Sequence, residues 1–211
     1  MKHTTNNTEA GAPETRVIHP KVLYYGTPVI LLSTLNEDGT ANISPISSSW
    51  ALGDIIVLGI GLGGKAAENL DRHRECVINL PGPALWEHVE RLAPTTGKTP
   101  VPEAKREMGF TFEKDKFAVS GLTPAASHQV KPARIRECPL QIEAEVLSLR
   151  VPEHTPDFAI VETRAVQVHA HWNIILDENH IDPRKWSPLI YNFRHYFGLG
   201  ERLGKTFRAE S

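Results

Sequence analysis

The feature that most constrains this chain is a close succession of short apolar, β-branched segments in its first eighty residues, with a single helical stretch among them. Residues 29–35 (Val-Ile-Leu-Leu-Ser-Thr-Leu) run into the turn sequence Asn36-Glu37-Asp38-Gly39, and extended structure resumes over 40–44, which predicts a hairpin. After Leu52-Gly53-Asp54 comes a third strand at 55–60. The period then changes, because residues 65–73 are rich in helix formers. Residues 76–80 predict a fourth strand stopped by Pro81-Gly82-Pro83, and 84–92 read as a helix. Further on, residues 140–147 alternate apolar and polar strictly, so one strand face is expected to be wet. Residues 158–175 offer two more valine-rich strand segments. At least six strands, with no crossover helix after nearly every one, favour a mainly β chain over a doubly wound sheet. The expected architecture is an antiparallel β-barrel with flanking helices, whose closure leaves no raw sheet edge.

A length of 211 residues suits one domain. Residues 1–15 carry no apolar period and predict a disordered tail. Residues 16–211 read as one domain, in which 93–139 is an insertion wrapping the barrel, dominated by Thr, Pro and Gly with a short helix near 103–108. Basic and acidic side chains nearly balance, 23 against 25, which argues against nucleic acid or another polyanion as partner. No apolar run approaches the roughly 20 residues of a membrane-crossing helix. The longest, 55–62, is broken by Gly59 and Gly61. Cys76 and Cys138 stand far apart outside any CxxC spacing, and no signal-peptide pattern opens the chain, so a soluble cytoplasmic protein is expected.

Two segments at the exits of neighbouring strands carry the candidate chemistry. Gly59-Ile60-Gly61-Leu62-Gly63-Gly64-Lys65 fits two nucleotide patterns. As a P-loop it has Ala66 where a hydroxyl must hold Mg²⁺, and as a dinucleotide fingerprint it lacks an acid after Asn79-Leu80. What survives is a glycine loop that lets backbone approach a ligand, a helix start with free N–H groups, and the charge of Lys65, which together suit a phosphate. The alternative is that the glycines only end a strand and Lys65 is solvated. The second segment, Pro45-Ile46-Ser47-Ser48-Ser49-Trp50, offers small donors and acceptors beside backbone freed by proline, suited to the edge of a planar heterocycle or equally to a polar bend.

Other groups have structural readings beside functional ones. His169 and His171 share a strand face, as two ligands of a metal site or as surface or dimer-contact histidines, with no third ligand evident. Cys138 is a redox thiol or a structural cysteine. The aromatic tail of Trp186, Tyr191, Phe193, Tyr196 and Phe197 either covers a planar ligand or packs on a partner. No nucleophile, base and orienter set resembles a hydrolytic triad, and no catalytic residue is assigned.

The blocks at 28–34, Asp38-Gly39, 42–47, Gly63-Gly64-Lys65 with Glu68-Asn69-Leu70, 76–81 and 137–145, together with the tail from Ile181-Asp182-Pro183 to Tyr196-Phe197, resemble the flavin reductase-like family in both order and spacing. That resemblance implies a Greek-key split barrel, a homodimer, and FMN near the subunit interface. It also implies that the segment from Ser47 to Trp50, including Ser48 and Ser49, lies beside the isoalloxazine, and Pro45 and Ile46 next to it are expected in the cofactor site. The helix start from Lys65 to Asn69 would then lie beside the phosphate, and Gly61, Leu62, Gly63, Gly64 and Asn79 are also expected in the cofactor site. Family members commonly carry Thr where this chain has Ala66, so weaker retention of FMN is expected. The implied activity is electron transfer from NAD(P)H through FMN to flavin or another acceptor. The alternatives are an FMN-binding electron carrier served by a protein partner and a nucleotide-binding regulatory module.

Overall fold

The hairpin expected near the start of the chain forms. In the computed structural model, which describes residues 15–206, a short strand β1 (Tyr25–Pro28) precedes β2 (Ile30–Leu35) and β3 (Ala41–Ile46). The last two pair antiparallel, with Leu35 opposite Ala41, through a turn in which Gly39 takes a φ of 79°, a region that favours glycine. The predicted tail lies outside the described residues except for Thr15. Next come β4 (Ser49–Leu52), β5 (Ile55–Gly61), helix α1 (Lys65–His73) and β6 (Glu75–Leu80). The helix expected at 84–92 is a 3-10 turn, Pro83–Leu85, running into α2 (Trp86–Leu92).

The segment 93–139 is more ordered than its composition suggests. It holds α3 (Glu103–Glu107), α4 (Lys116–Ser120) and a small ladder of β7 (Pro124–Ala125) with β8 (Arg134–Ile135). Beyond it lie β9 (Leu140–Arg150) and β10 (Phe158–Ala170), then the hairpin of β11 (Ile190–Asn192) and β12 (His195–Phe197). Residues 158–175 were expected to give two strands. They give one 13-residue strand followed by a 3-10 turn, Trp172–Ile174, since no Gly or Pro interrupts the run and β10 ladders with two neighbours at once.

Seven strands form one antiparallel sheet in the order β3-β2-β6-β9-β10-β5-β4. Flat, its two edges would stand roughly 29 Å apart at ~4.8 Å per strand. Yet the edge strands β3 and β4 are joined by Ser47 and Ser48 alone, three peptide steps that reach at most about 11 Å. The sheet must therefore curl until its edges nearly meet. The result is a half-barrel split along a seam at these two serines, with no β3–β4 ladder to close it.

Alternation along the strands sends side chains to two cores. Ile30, Leu32, Ile56, Leu58, Ile60, Ile78, Ala144 and Val161 fill the barrel, plugged by Ala66, Ala67 and Leu70 of α1. Val29, Leu31 and Ile43 form a second core on the outside with Val89 and Leu92 of α2, Leu122, Ile135, Cys138 and Leu189. This second layer corrects the expectation of a wet face on β9, for Gln141 and Glu143 are buried beneath the 93–139 segment. Gly59 is also used structurally: its N–H donates to Ser48 O at 2.7 Å, and a Cβ there would stand 2.9 Å from Ser48 Cβ. Gly59→Ala should cost about 1–3 kcal/mol of stability, the usual scale of overpacking, measurable by urea unfolding.

Candidate functional site

The seam that closes the barrel also creates a cavity. Because Ile56, Leu58 and Ile60 face the barrel core, Gly59 and Gly61 present bare backbone on the opposite face of β5. There, with the Pro45 to Ser48 bend, they border a cavity of about 480 Å³. Its remaining walls come from Tyr24 and Val29, from Val89 and Glu90 of α2, from Ala93, Thr96, Lys105 and Phe110 of the 93–139 segment, and from Tyr191, Arg194 and Tyr196. The size falls within the range of small-molecule sites. A Cβ on Gly61 would meet no atom within 4 Å, so this glycine opens onto free space.

Aromatic rings stack along one side. Tyr24 meets Tyr191 edge-on at 5.3 Å, Tyr191 and Tyr196 are 5.6 Å apart, and Tyr196 and Trp86 6.4 Å. The tight hairpin β11–β12 sets these rings by taking Phe193 and Arg194 through φ of 43° and 70°, the two positive values that two-residue hairpin loops favour. Neither residue is a glycine, so the turn carries strain beside the cavity. Tyr196 Oη donates to Glu90 Oε1 at 2.7 Å, and burial, reinforced by that carboxylate, pushes its phenol well above the usual range and keeps it neutral. The Tyr24 and Ser48 hydroxyls are hydrogen-bonded to each other at 3.1 Å, whereas the Ser47 hydroxyl meets no protein partner among the described residues.

Of the residues singled out in the sequence, Pro45, Ile46, Ser47, Ser48 and Gly61 thus converge on one cavity. Ser49 and exposed Trp50 fall on an adjoining depression of about 340 Å³, which shares Tyr24, Ser47, Ser48 and Gly59 with it. The others go elsewhere. Leu62 packs against the barrel core and its N–H donates to Asp157 O. Lys65 turns away, its Nζ 2.9 Å from Glu68 Oε2 and 3.8 Å from Glu37, in a separate charged cleft with Asp38 and Lys114. Asn69 is fully buried and spends its amide on Thr34 Oγ1 and Asn36 Oδ1, pinning α1 to the first hairpin. Asn79, equally buried, donates to Leu31 O and Ser33 Oγ and accepts from Ile135 N–H, joining β6, β2 and β8. Neither asparagine lines the cavity, and both amides are hydrogen-bonded within the protein.

Gly63 and Gly64 do face a cation, but it is Lys105 rather than Lys65. A Cβ on Gly63 would lie 3.3 Å from Lys105 Cε, and one on Gly64 3.7 Å from Nζ. Sequence reading missed this lysine, along with Thr96 and Phe110, because the segment that carries them has no period to interpret. Tyr191 and Tyr196 were flagged only within the aromatic tail, and Tyr24 not at all. The remaining candidates are structural: His169 Nε2 lies 2.6 Å from Glu143 Oε1 and His171 Nε2 2.9 Å from Arg136 O, not on a common ligand. Cys138 is buried in the outer core, and burial pushes its thiol far up, while burial raises that of Cys76 to about 12.

A family model described as the flavin reductase like domain matches residues 22–200. The uncharacterized protein YdfE of Bacillus subtilis (strain 168) is 64% identical over 194 residues, covering 92% of this chain and 94% of its own. Among solved structures, flavoredoxin of Desulfovibrio vulgaris (Miyazaki F) superposes with a TM-score of 0.76 at 22% identity, over 93% of this chain and 99% of that one. Nitrilotriacetate monooxygenase component B from Bacillus cereus gives 0.72 at 15% identity, over 92% and 100%. These structural likenesses establish the fold as a split barrel. No helix among the described residues is long and apolar enough to cross a membrane.

Proposed function

This chain belongs to the flavin reductase-like domain family, and from that premise we propose that it is an FMN-binding oxidoreductase that passes electrons from NAD(P)H through the flavin to another flavin or a small acceptor. The observation that carries the reading is the seam cavity, which joins a polar bend, a wall of tyrosines and a cation in about 480 Å³. The residues present suit a flavin. Tyr24, Tyr191 and Tyr196 supply aromatic surface for a planar ring, Ser47 offers an uncommitted hydroxyl to a heteroatom edge, and bare Gly61 leaves room for ring or chain.

A bound flavin would supply the hydride and electron chemistry itself. The protein's part is to bind, orient and exclude water. The Tyr196–Glu90 hydrogen bond holds one wall in place with the phenol neutral, Ile46 and Val89 keep part of the cavity apolar, and the strained turn at Phe193 and Arg194 fixes the angle of the covering hairpin.

The second subunit of the proposed homodimer finds support in exposed Leu23, Tyr25, Trp50 and Leu52, which cluster on and beside edge strand β4 next to the cavity. Such a patch at an open strand edge suits association.

The deciding experiment is anaerobic. FMN is added to the protein, then NADH or NADPH, while flavin absorbance is followed. Rapid bleaching is the expected result. Flavin that binds but is bleached by neither nicotinamide would replace the enzyme with an electron carrier served by a protein partner.

A further inference from the structure

We propose that Lys105, a residue of the 93–139 segment, is the phosphate-binding cation of this site and gives the protein its preference for a flavin phosphate monoester over unphosphorylated flavin. The inference rests on the flavin reading above. It starts from charge left without counter-charge. Lys105 Nζ donates to Thr96 O at 3.1 Å and Thr96 Oγ1 at 3.4 Å, and lies 4.9 Å from the centre of the Phe110 ring. Lys116, almost fully buried, donates to Thr95 O and, at 2.9 Å, to Thr95 Oγ1. Carbonyls, hydroxyls and a ring satisfy these donors but neutralise neither charge. Among the described residues neither lysine forms an ion pair, while Lys65, Lys98 and Lys114 all do.

The two ammonium groups sit on the polar atoms of consecutive residues, Thr95 and Thr96. Burial lowers the Lys105 amine from its ordinary value, and burial together with Lys105 brings that of Lys116 to about 8, against the opposing pull of Glu113. Only Lys105 borders the cavity. Its stem is seated on Gly63, where a Cβ would stand 3.3 Å from Cε, while a Cβ on Gly64 would crowd Thr96 O, the carbonyl that Lys105 holds, at 3.2 Å. A dianionic phosphate beside Nζ would supply the missing counter-charge. Ala66, by contrast, is buried in the barrel core and takes no part in the cavity.

The test titrates FMN and riboflavin against the unmodified protein, Lys105→Met and Lys65→Met. A charge-assisted hydrogen bond of ordinary strength corresponds to a roughly ten-fold to one-hundred-fold change in dissociation constant. Lys105→Met should weaken FMN by that factor and leave riboflavin within about three-fold, which also shows that the variant is folded. Lys105→Arg should restore most of the FMN affinity, and Lys65→Met should alter neither ligand. Equal loss of both flavins in Lys105→Met, loss of neither, or selective loss of FMN in Lys65→Met would each overturn the assignment. If the unmodified protein binds neither flavin, the underlying flavin reading falls and this assignment with it.

Discussion

Gly61→Trp should abolish flavin binding, raising the dissociation constant at least about one-hundred-fold, close to 3 kcal/mol, while the thermal midpoint stays within a few degrees. Both halves of that expectation follow from the same backbone position. Gly61 ends β5 opposite Phe158, its φ lies outside the left-handed region, and a Cβ there would meet nothing within 4 Å, so a side chain is admissible. An aromatic residue is also favoured in a strand. But alternation along β5 aims the side chain away from Ile60 and the barrel core, into the cavity, where an indole would occupy the volume a ring needs. Isothermal titration with FMN and a calorimetric melt of the same sample check the pair. Unchanged affinity in a folded variant would mean that flavin binds elsewhere.

Glu143→Ala should be the most damaging single substitution outside the cavity, at about 3–5 kcal/mol, the cost of breaking a buried charged network. Its carboxylate is inaccessible and accepts N–H donations from His128 at 2.8 Å, Gln129 at 2.6 Å and Val130 at 3.1 Å, with the His169 ring at 2.6 Å. Removing it leaves several donors under the 93–139 segment without an acceptor. At roughly 2–4 °C per kcal/mol for a chain of this size, the midpoint should fall by roughly 6–20 °C. The same site sets an acid limit. Burial alone would raise the Glu143 pKa, but the amides of Gln129 and His128, the His169 ring and the Val130 amide outweigh it and hold the group at about 2, below its ordinary 4.5. A carboxylate lowered on folding stabilises fully above its unfolded value and loses that contribution as pH falls toward the folded one. Stability should therefore decline between about pH 4.5 and 2, and Glu143→Ala should flatten that decline. A variant melting like the parent at pH 7 would refute the anchoring role.

What could be read from the sequence was local. Strands β2, β3, β5 and β6 announce themselves through β-branched runs and turn residues such as Asp38-Gly39, and α1 through its helix formers. The seam cavity was half legible: Ser47, Ser48 and Gly61 lie at strand exits, where backbone leaves the ladder. What escaped depends on contacts distant in sequence. Residues 93–139 owe their order to Glu143, twelve or more residues away from the amides it caps, and to the Lys116–Thr95 pair, neither of which leaves a periodic trace. Asn69 and Asn79 entered the expected site through the family resemblance, and burial commits both to tying strands and helix together. Lys65 stands out in the sequence for its adjacency to Gly63-Gly64, but adjacency along a helix start does not fix where a long side chain points, and Glu68 and Glu37 draw it away.

The central claim, that this chain binds a flavin at the barrel seam, is tested most directly by titrating the purified protein into FMN and following flavin fluorescence. The tyrosine-lined cavity predicts saturable quenching at one FMN per chain, with fluorescence restored in the Gly61→Trp variant. Fluorescence that stays unchanged in the unmodified protein at concentrations up to about 100 μM, a limit of roughly 5 kcal/mol in binding free energy, would contradict it.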